Sequence, residues 1–392
     1  MPLSLYLLAV AVFAMGTSEF MLAGLAPDLA ASLDVSIGAA GLLTSAFAVG
    51  MIIGAPTMAA LARRWSPRTS LLGFLAVFAV VHVVGALTTS FAVLLVTRVI
   101  AALANAGFLA VALSAAVAVA AADRRGRALA VLLSGITIAT IAGVPGGAVL
   151  GTLFDWRATF WAIALLCVPA AVGIAMGIPV RAAQCTPVAV SLRTEIAALA
   201  RPRLALVMVL GALVNGATFA TFTFLAPIVT DTAGLGALWV PVALALFGVG
   251  SFVGVTVAGR LSDRRPAIVI GVGGPILLLG WIALAALAAQ PVSLLFLVFM
   301  QGALAFAVGS TLIARVLYEA VDAPTMGGSY ATAALNIGAA GGPLVAAATL
   351  GANAGALGPV WVSAILVAVA LLIALPLLRV IGPRAGASRR GA

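Results

Sequence analysis

The chain has 392 residues, of which 64% are hydrophobic and only 8% charged, with a formal net charge of +10. A soluble domain carries about 25% charged residues, so no water-solvated fold of this length could hide so much apolar surface, and lipid must be the solvent for much of it. The basic balance contains no lysine: all 20 basic residues are arginine.

A helix that crosses the hydrocarbon core needs about 20 mostly apolar residues. With Arg, Asp, Pro and Gly clusters as punctuation, twelve spans are predicted. They lie at 4–26, 38–61, 70–88, 91–118, 128–151, 158–179, 204–229, 238–258, 267–289, 292–314, 326–351 and 359–378. The first has no basic n-region or cleavage site, so it reads as a retained span rather than a signal peptide. The break between spans 5 and 6 rests on Asp155, Trp156 and Arg157. No ten-residue alternating segments occur, which excludes a barrel.

Eighteen of the arginines fall in alternate loops or the tail, while Arg157 lies in an opposite-side loop and Arg98 inside a span. Arg63, Arg64 and Arg68 follow span 2; Arg124, Arg125 and Arg127 follow span 4; Arg181, Arg193, Arg201 and Arg203 lie between spans 6 and 7. Arg260, Arg264 and Arg265 follow span 8, Arg315 follows span 10, and Arg379, Arg384, Arg389 and Arg390 are C-terminal. Basic residues mark cytoplasmic loops, so both termini and the middle loop are expected in the cytoplasm. The positive charge is thus a topology signal that suits anionic lipid rather than nucleic acid.

The predicted fold is an all-α membrane protein with twelve transmembrane helices in two pseudo-symmetric six-helix bundles, 1–180 and 204–380. A cytoplasmic linker, 181–203, joins them, and 381–392 forms a basic tail. The halves rhyme: ALARRWSPR (60–68) follows span 2 and GRLSDRRP (259–266) follows span 8, while GVPGG (143–147) and AAGGP (339–343) occupy spans 5 and 11. Such internal repeats are a transporter architecture, with substrate handled near the midplane between the halves.

Charges inside the bilayer are costly and mark function. The predicted spans hold only Glu19, Arg98 and the neutral-capable His82. Glu19 stands eight residues before Pro27, and Arg98 eight residues after Ser90. At 1.5 Å per residue both lie roughly 12 Å below the outer boundary, where they could pair if spans 1 and 4 adjoin. Burial favours a neutral carboxyl and a nearby Arg favours an ionised one. Glu19 is therefore the candidate proton carrier and Arg98 the fixed charge, with a permanent salt bridge as the structural alternative. Asp28, after Pro27 at the outer rim, is a further proton-coupling candidate, or a solvated helix-end carboxylate. His82 reads as a packing histidine. Cys167 and Cys185 fall in different environments, so no disulfide or metal site is expected, and no cofactor is predicted.

Several segments resemble the major facilitator superfamily in its twelve-helix drug:proton antiporter branch. GRLSDRRP is similar to the family's cytoplasmic gate motif. That resemblance assigns Gly259, Asp263 and Arg264 to the gate, Asp263 tying helix ends together and Arg264 helping to hold the inner gate. The copy after span 2 departs from the motif, with Arg63 where Asp is expected and Pro67 where a basic residue is expected. Arg98, in LLVTRVIAALANAG (94–107), matches the family's helix 4 arginine. Small residues at four-residue spacing along span 5 allow close helix approach, and with Pro145 among them they resemble the antiporter motif, here Gly143, Pro145 and Gly147. GTSEFMLAGLAPDL (16–29), LLTSAFAVGMIIGAP (42–56), ANAGFLAVAL (104–113) and WRATFW (156–161) are similar to actinobacterial chloramphenicol-resistance exporters.

The resemblance implies a monomeric, multi-pass plasma-membrane exporter, not an enzyme, that moves a small amphipathic drug outward in exchange for protons by alternating access. Such a cavity should be mostly apolar with a few polar groups. Phe20, Met21, Phe47, Met51, Asn105 and Phe108 are lining candidates in the first half, and Asn215, Phe219, Phe222, Gln301 and Asn336 in the second. Related exporters of sugars and other small metabolites share TSEF-like openings, and a non-transporting receptor is the alternative outside transport.

Overall fold

A computed structural model describes residues 3–62, 65–120, 124–178, 201–262, 265–320, 327–350 and 355–377. Among the described residues the structure is helical throughout, and twelve helices are long and apolar enough to cross a membrane. Arg63, Arg64, Asp263, Arg264, Cys185, most of the middle linker and the basic tail lie outside the described residues.

Spans 1 and 7 are each broken. Span 1 runs Leu3–Phe20, is interrupted at Met21, and continues as Leu22–Ser32. The break is tightened to an i→i+3 bond, Gly24 N–H to Met21 O at 3.1 Å. Pro27, three residues on, has no N–H to offer the preceding turn. Span 7, Pro202–Thr223, is interrupted at Phe224 and resumes at Leu225–Pro227. The tripeptides Leu25-Ala26-Pro27 and Leu225-Ala226-Pro227 stand exactly alike in the two halves in sequence, so one proline signal bends both. Leu22–Ser32 takes the first helix beyond its expected end at residue 26.

Spans 2, 3 and 4 are Ile37–Ala62, Pro67–Leu87 and Phe91–Val119. Span 5, Arg125–Leu153, contains a π turn at Ala139–Gly143, where Val144 N–H bonds Ala139 O, five residues back. Its cause is Pro145: the proline cannot bond Ile141 and its ring would crowd that carbonyl, so the helix widens by one residue instead of breaking. Asp155 separates spans 5 and 6 as expected. At φ 144° it leaves the helical region, and its carboxylate caps Trp156–Gly177 by accepting from Arg157 N–H at 3.0 Å.

Spans 8 to 12 are Trp239–Ser262, Pro266–Leu287, Pro291–Glu319, Gly327–Leu350 and Gly358–Ala374. Span 10 departs from expectation. It runs past residue 314, so Arg315 is not in a loop but on the helix, nearly buried and paired with Glu319 at 2.9 Å. The i,i+4 spacing puts the two side chains on one face, and the pairing lets the helix keep both charges.

The buried apolar residues fall into two main clusters, one built by spans 1–6 and the other chiefly by spans 7–12. Two seams join them. Span 2 meets span 11, where Ser45 Oγ donates to Ala340 O at 2.7 Å. Span 5 meets span 8, where Gly248 lies against the Thr140 carbonyl of the π turn so closely that a Cβ would strike backbone.

Candidate functional site

The break in span 1 sets the site. Arg98, 1% exposed, points from span 4 at the last turn before the break. Its Nη1 donates to Ser18 Oγ at 2.8 Å and its Nη2 to Ser18 O at 2.6 Å. The guanidinium also lies 4.5 Å from the centre of the Phe47 ring. Ser18 Oγ is 2.7 Å from His82 Nε2, and His82 Nδ1 is 2.7 Å from Phe78 O. Because a carbonyl only accepts, Nδ1 carries the proton and Nε2 is bare. The chain of donors therefore has one direction: Arg98 to Ser18, Ser18 to His82, His82 to the backbone. His82, expected as a packing residue, is the last link of this network.

Glu19 and Arg98 do not form the direct ion pair that their common depth allowed. Successive helical residues point about 100° apart, so with Ser18 facing span 4, Glu19 turns away. Its carboxylate, half-buried, enters a cavity between the halves. Arg98 acts on it through space, and Asn105 stands close enough to interact with it.

The cavity has a volume of about 210 Å³. The C-terminal half builds nearly all of its wall: Asn215, Thr218 and Phe219 from span 7, Val255 from span 8, Phe306, Ser310 and Ile313 from span 10, and Asn336 from span 11. The N-terminal half contributes Glu19 and Phe20, and Glu19 is the one charged group among the described lining residues. Phe20 stacks on Phe219 at 5.7 Å, and Phe222, Phe247 and Phe306 continue the aromatic wall with centroids 4.7 to 6.4 Å apart.

Of the predicted lining residues, Phe20, Asn215, Phe219 and Asn336 therefore meet at one cavity, and Phe222 closes its aromatic edge. The others do not reach it. Met21 and Phe108 are fully buried in the N-terminal core. Phe47 lies under Arg98, and Met51 packs against Asn105, whose Nδ2 is 3.7 Å from its sulfur. Gln301 is buried between spans 9 and 10, donating to Leu277 O at 3.2 Å. Asp28 is exposed on the C-terminal extension of span 1, where partial burial and the neighbouring Asp155 raise its carboxyl above the ordinary value. Gly143 faces Thr17 of span 1, and Gly147 O accepts from Thr159 Oγ1 at 2.7 Å, so the Gly143–Pro145–Gly147 segment packs the N-terminal half from within. Gly259 has open space beside it. Sequence reasoning passed over Ser18, Thr218, Phe306 and Ser310. The span 10 residues Phe306, Gly309, Ser310 and Ile313 recur every three or four positions, a face-forming interval that was there to be read.

The profile of the Major Facilitator Superfamily matches residues 8–331. The chain belongs to the major facilitator superfamily. Among its superfamily relatives, the "Chloramphenicol resistance protein" of Streptomyces lividans is 69% identical over 382 residues, 97% of each chain. The "Inner membrane transport protein YdhP" of Escherichia coli K12 is 33% identical over 350 residues, 89% of each. Two crystal structures of a bacterial homolog of the human lysosomal transporter Spinster superpose with TM-scores of 0.73 (inward-facing and unoccupied) and 0.76 (inward-facing and occupied). They share 18% identity with this chain and cover 97% and 96% of it, and 95% and 96% of their own length. At that identity they speak for the fold alone. This superfamily member is accordingly a multi-pass transporter of the cell membrane and not an enzyme.

Proposed function

We propose that the protein exports chloramphenicol, or a small amphipathic drug like it, in exchange for protons. The observation that carries this reading is a carboxylate without a direct ion pair, Glu19, projecting into an apolar, aromatic-walled cavity between two half-bundles. The 69% identity to a chloramphenicol resistance protein supports the substrate, and the arginine-rich loops support termini in the cytoplasm.

In this mechanism the drug enters the cavity from the cytoplasm and rests against Phe20, Phe219 and Phe306. Rocking of the halves about the seams between spans 2 and 11 and spans 5 and 8 exposes it to the outside. Glu19 then takes a proton from outside, which cancels its charge and its through-space attraction to Arg98, and the drug leaves; on the return of the halves Glu19 releases the proton to the cytoplasm. Arg98 stays fixed by Ser18 throughout, so the proton is the only charge that moves. Asp28 at the outer rim is placed to hand protons in.

Proteoliposomes with an imposed pH gradient test the proposal. The wild type should accumulate labelled chloramphenicol uphill, and Glu19→Gln should equilibrate it without accumulation. Uphill transport by Glu19→Gln overturns the role of Glu19; no chloramphenicol movement by the wild type overturns the substrate.

A further inference from the structure

The hydrogen-bonding polarity of the cavity carries an inference about its ligands. Four neutral polar side chains stand in the wall, and each spends a donor on the protein itself. Asn215 Nδ2 donates to Leu335 O at 2.7 Å, and Asn336 Nδ2 to Thr332 O at 2.9 Å. Thr218 Oγ1 donates to Val214 O at 2.9 Å, and Ser310 Oγ to Ala307 O at 3.2 Å. Every one of those acceptors is a backbone carbonyl. A carbonyl cannot donate, so neither amide can be flipped, and the orientation of each asparagine is fixed by its partner.

What remains for a ligand is mostly oxygen lone pairs. Asn215 Oδ1 and Asn336 Oδ1 have no protein partner among the described residues and are not sealed from solvent. The two hydroxyls have lone pairs left over, and the Glu19 carboxylate adds two oxygens and, when ionised, a negative charge. Against these the wall, with Glu19 ionised as in the drug-binding state proposed above, offers the second N–H of each asparagine. The nearby cation does not redress the balance, because Arg98 is buried beneath span 1 and is not among the residues that line the cavity.

We infer that the cavity is a donor-selective site: it takes neutral or cationic amphiphiles bearing hydroxyl or N–H groups, and rejects anions and molecules that only accept hydrogen bonds. This rests on the proposed reading of the cavity as the substrate site, and it names Asn215 and Asn336 as specificity-determining residues. A ligand without donors leaves these oxygens desolvated and unpaired, and sites built to bond a hydroxyl reject analogues that lack it far more strongly than apolar pockets reject a missing methylene.

The test is equilibrium binding to the purified full chain in detergent, with chloramphenicol, its 1,3-di-O-methyl ether and its anionic hemisuccinate ester as probes. The ether, which loses both hydroxyl donors and keeps only the amide N–H, should bind at least about tenfold more weakly than the parent, roughly 1.4 kcal/mol, and the hemisuccinate should not compete. In Asn336→Leu and Asn215→Leu the gap between parent and ether should shrink several-fold. Equal binding of parent and ether, tight binding of the hemisuccinate, or an unchanged gap in folded leucine variants would each overturn the inference; the wild-type comparison stands even if the variants fail to fold. Should chloramphenicol itself not bind, the substrate proposal fails separately. The donor rule is then decided on a matched series of aryl-alkyl diols, ethers and carboxylates. Preference for the diols upholds it; binding without that preference, or by none of the series, overturns it.

Discussion

Replacing Ser18 by alanine removes two hydrogen bonds in one step and should separate a working network from incidental contacts. Arg98 Nη1 loses its acceptor and His82 Nε2 its donor, while the bond from Arg98 Nη2 to the Ser18 carbonyl survives because it is made to backbone. Side-chain hydrogen bonds within membranes average about 0.6 kcal/mol and reach about 1.7. The arginine bond belongs near the top of that range, since the donor is charged and Arg98 Nε already lacks a partner. Taking about 1.5 kcal/mol for it and about 0.6 for the histidine bond, Ser18→Ala should lose roughly 2 kcal/mol of unfolding free energy. SDS-titrated unfolding of the detergent-solubilised protein measures this. His82→Phe removes its bonds to both Ser18 and Phe78 O and should lose about 1.2 kcal/mol by itself, and the double variant should lose less than the sum of the two, because Ser18 and His82 share one bond. Ser18→Thr keeps the hydroxyl and should stay close to wild type. A loss below about 0.5 kcal/mol in Ser18→Ala, against the roughly 2 expected from the charged bond, or strict additivity with His82→Phe, would refute the network.

Three further outcomes are expected. Gly248→Val drives a side chain into the Thr140 backbone, so it should cost about 1–3 kcal/mol by overpacking and abolish drug transport; paired expression and transport assays separate the two effects. Pro145→Ala removes the cause of the π turn, and a regular helix would rotate the remainder of span 5 by about 100°; transport should fall and the bond from Thr159 Oγ1 to Gly147 O should be lost, so that adding Thr159→Val to Pro145→Ala costs no further thermal stability. For Asp28 the sign follows from a folded carboxyl raised above the ordinary value of 3.8. Its favourable contribution is complete below that value and is lost as pH rises through the raised one. Asp28→Asn should flatten the wild-type stability decline in that window, as followed by thermal unfolding against pH.

The spans were legible because lipid imposes a length and a composition that no other solvent demands. Depth was legible too, since counting from Pro27 and Ser90 put Glu19 and Arg98 level. Azimuth was not. One residue separates Ser18 from Glu19, and which of them meets Arg98 is decided by helix rotation about an axis whose residues are nearly all apolar. The same blindness explains the lining candidates. Met21 and Phe108 look no different in sequence from Phe20 and Phe219, because an apolar side chain suits core, cavity and lipid alike. Arg315 was misplaced for a different reason. An arginine near the end of an apolar run reads as loop unless Glu319, four residues on, is counted as its helical partner.

The half-repeat also explains why the charge sits where it does. His82 lies 15 residues into span 3, and Trp281 lies 15 residues into span 9; Arg98 and Val298 are each seven residues into spans 4 and 10. The position that holds a guanidinium in one half thus holds an isopropyl group in the other, and the histidine is replaced by an indole. The consequence is physical. Where spans 1, 3 and 4 meet, Arg98, Ser18 and His82 fill the space with directed bonds. Where spans 7, 9 and 10 meet, Val298 is too short to do so, and a small hollow remains beside Thr221, Trp281 and Gln301, with Trp281 Nε1 and Gln301 Oε1 lacking partners. The proposed proton-binding role of Glu19 calls for a nearby cation that does not wander, which Arg98 in the N-terminal half supplies. The proposed drug-binding wall calls for apolar surface with oriented acceptors, which spans 7, 10 and 11 supply. On the proposed reading, matched positions of the two halves carry the guanidinium network in one and the binding surface in the other, and the two meet at the cavity between them.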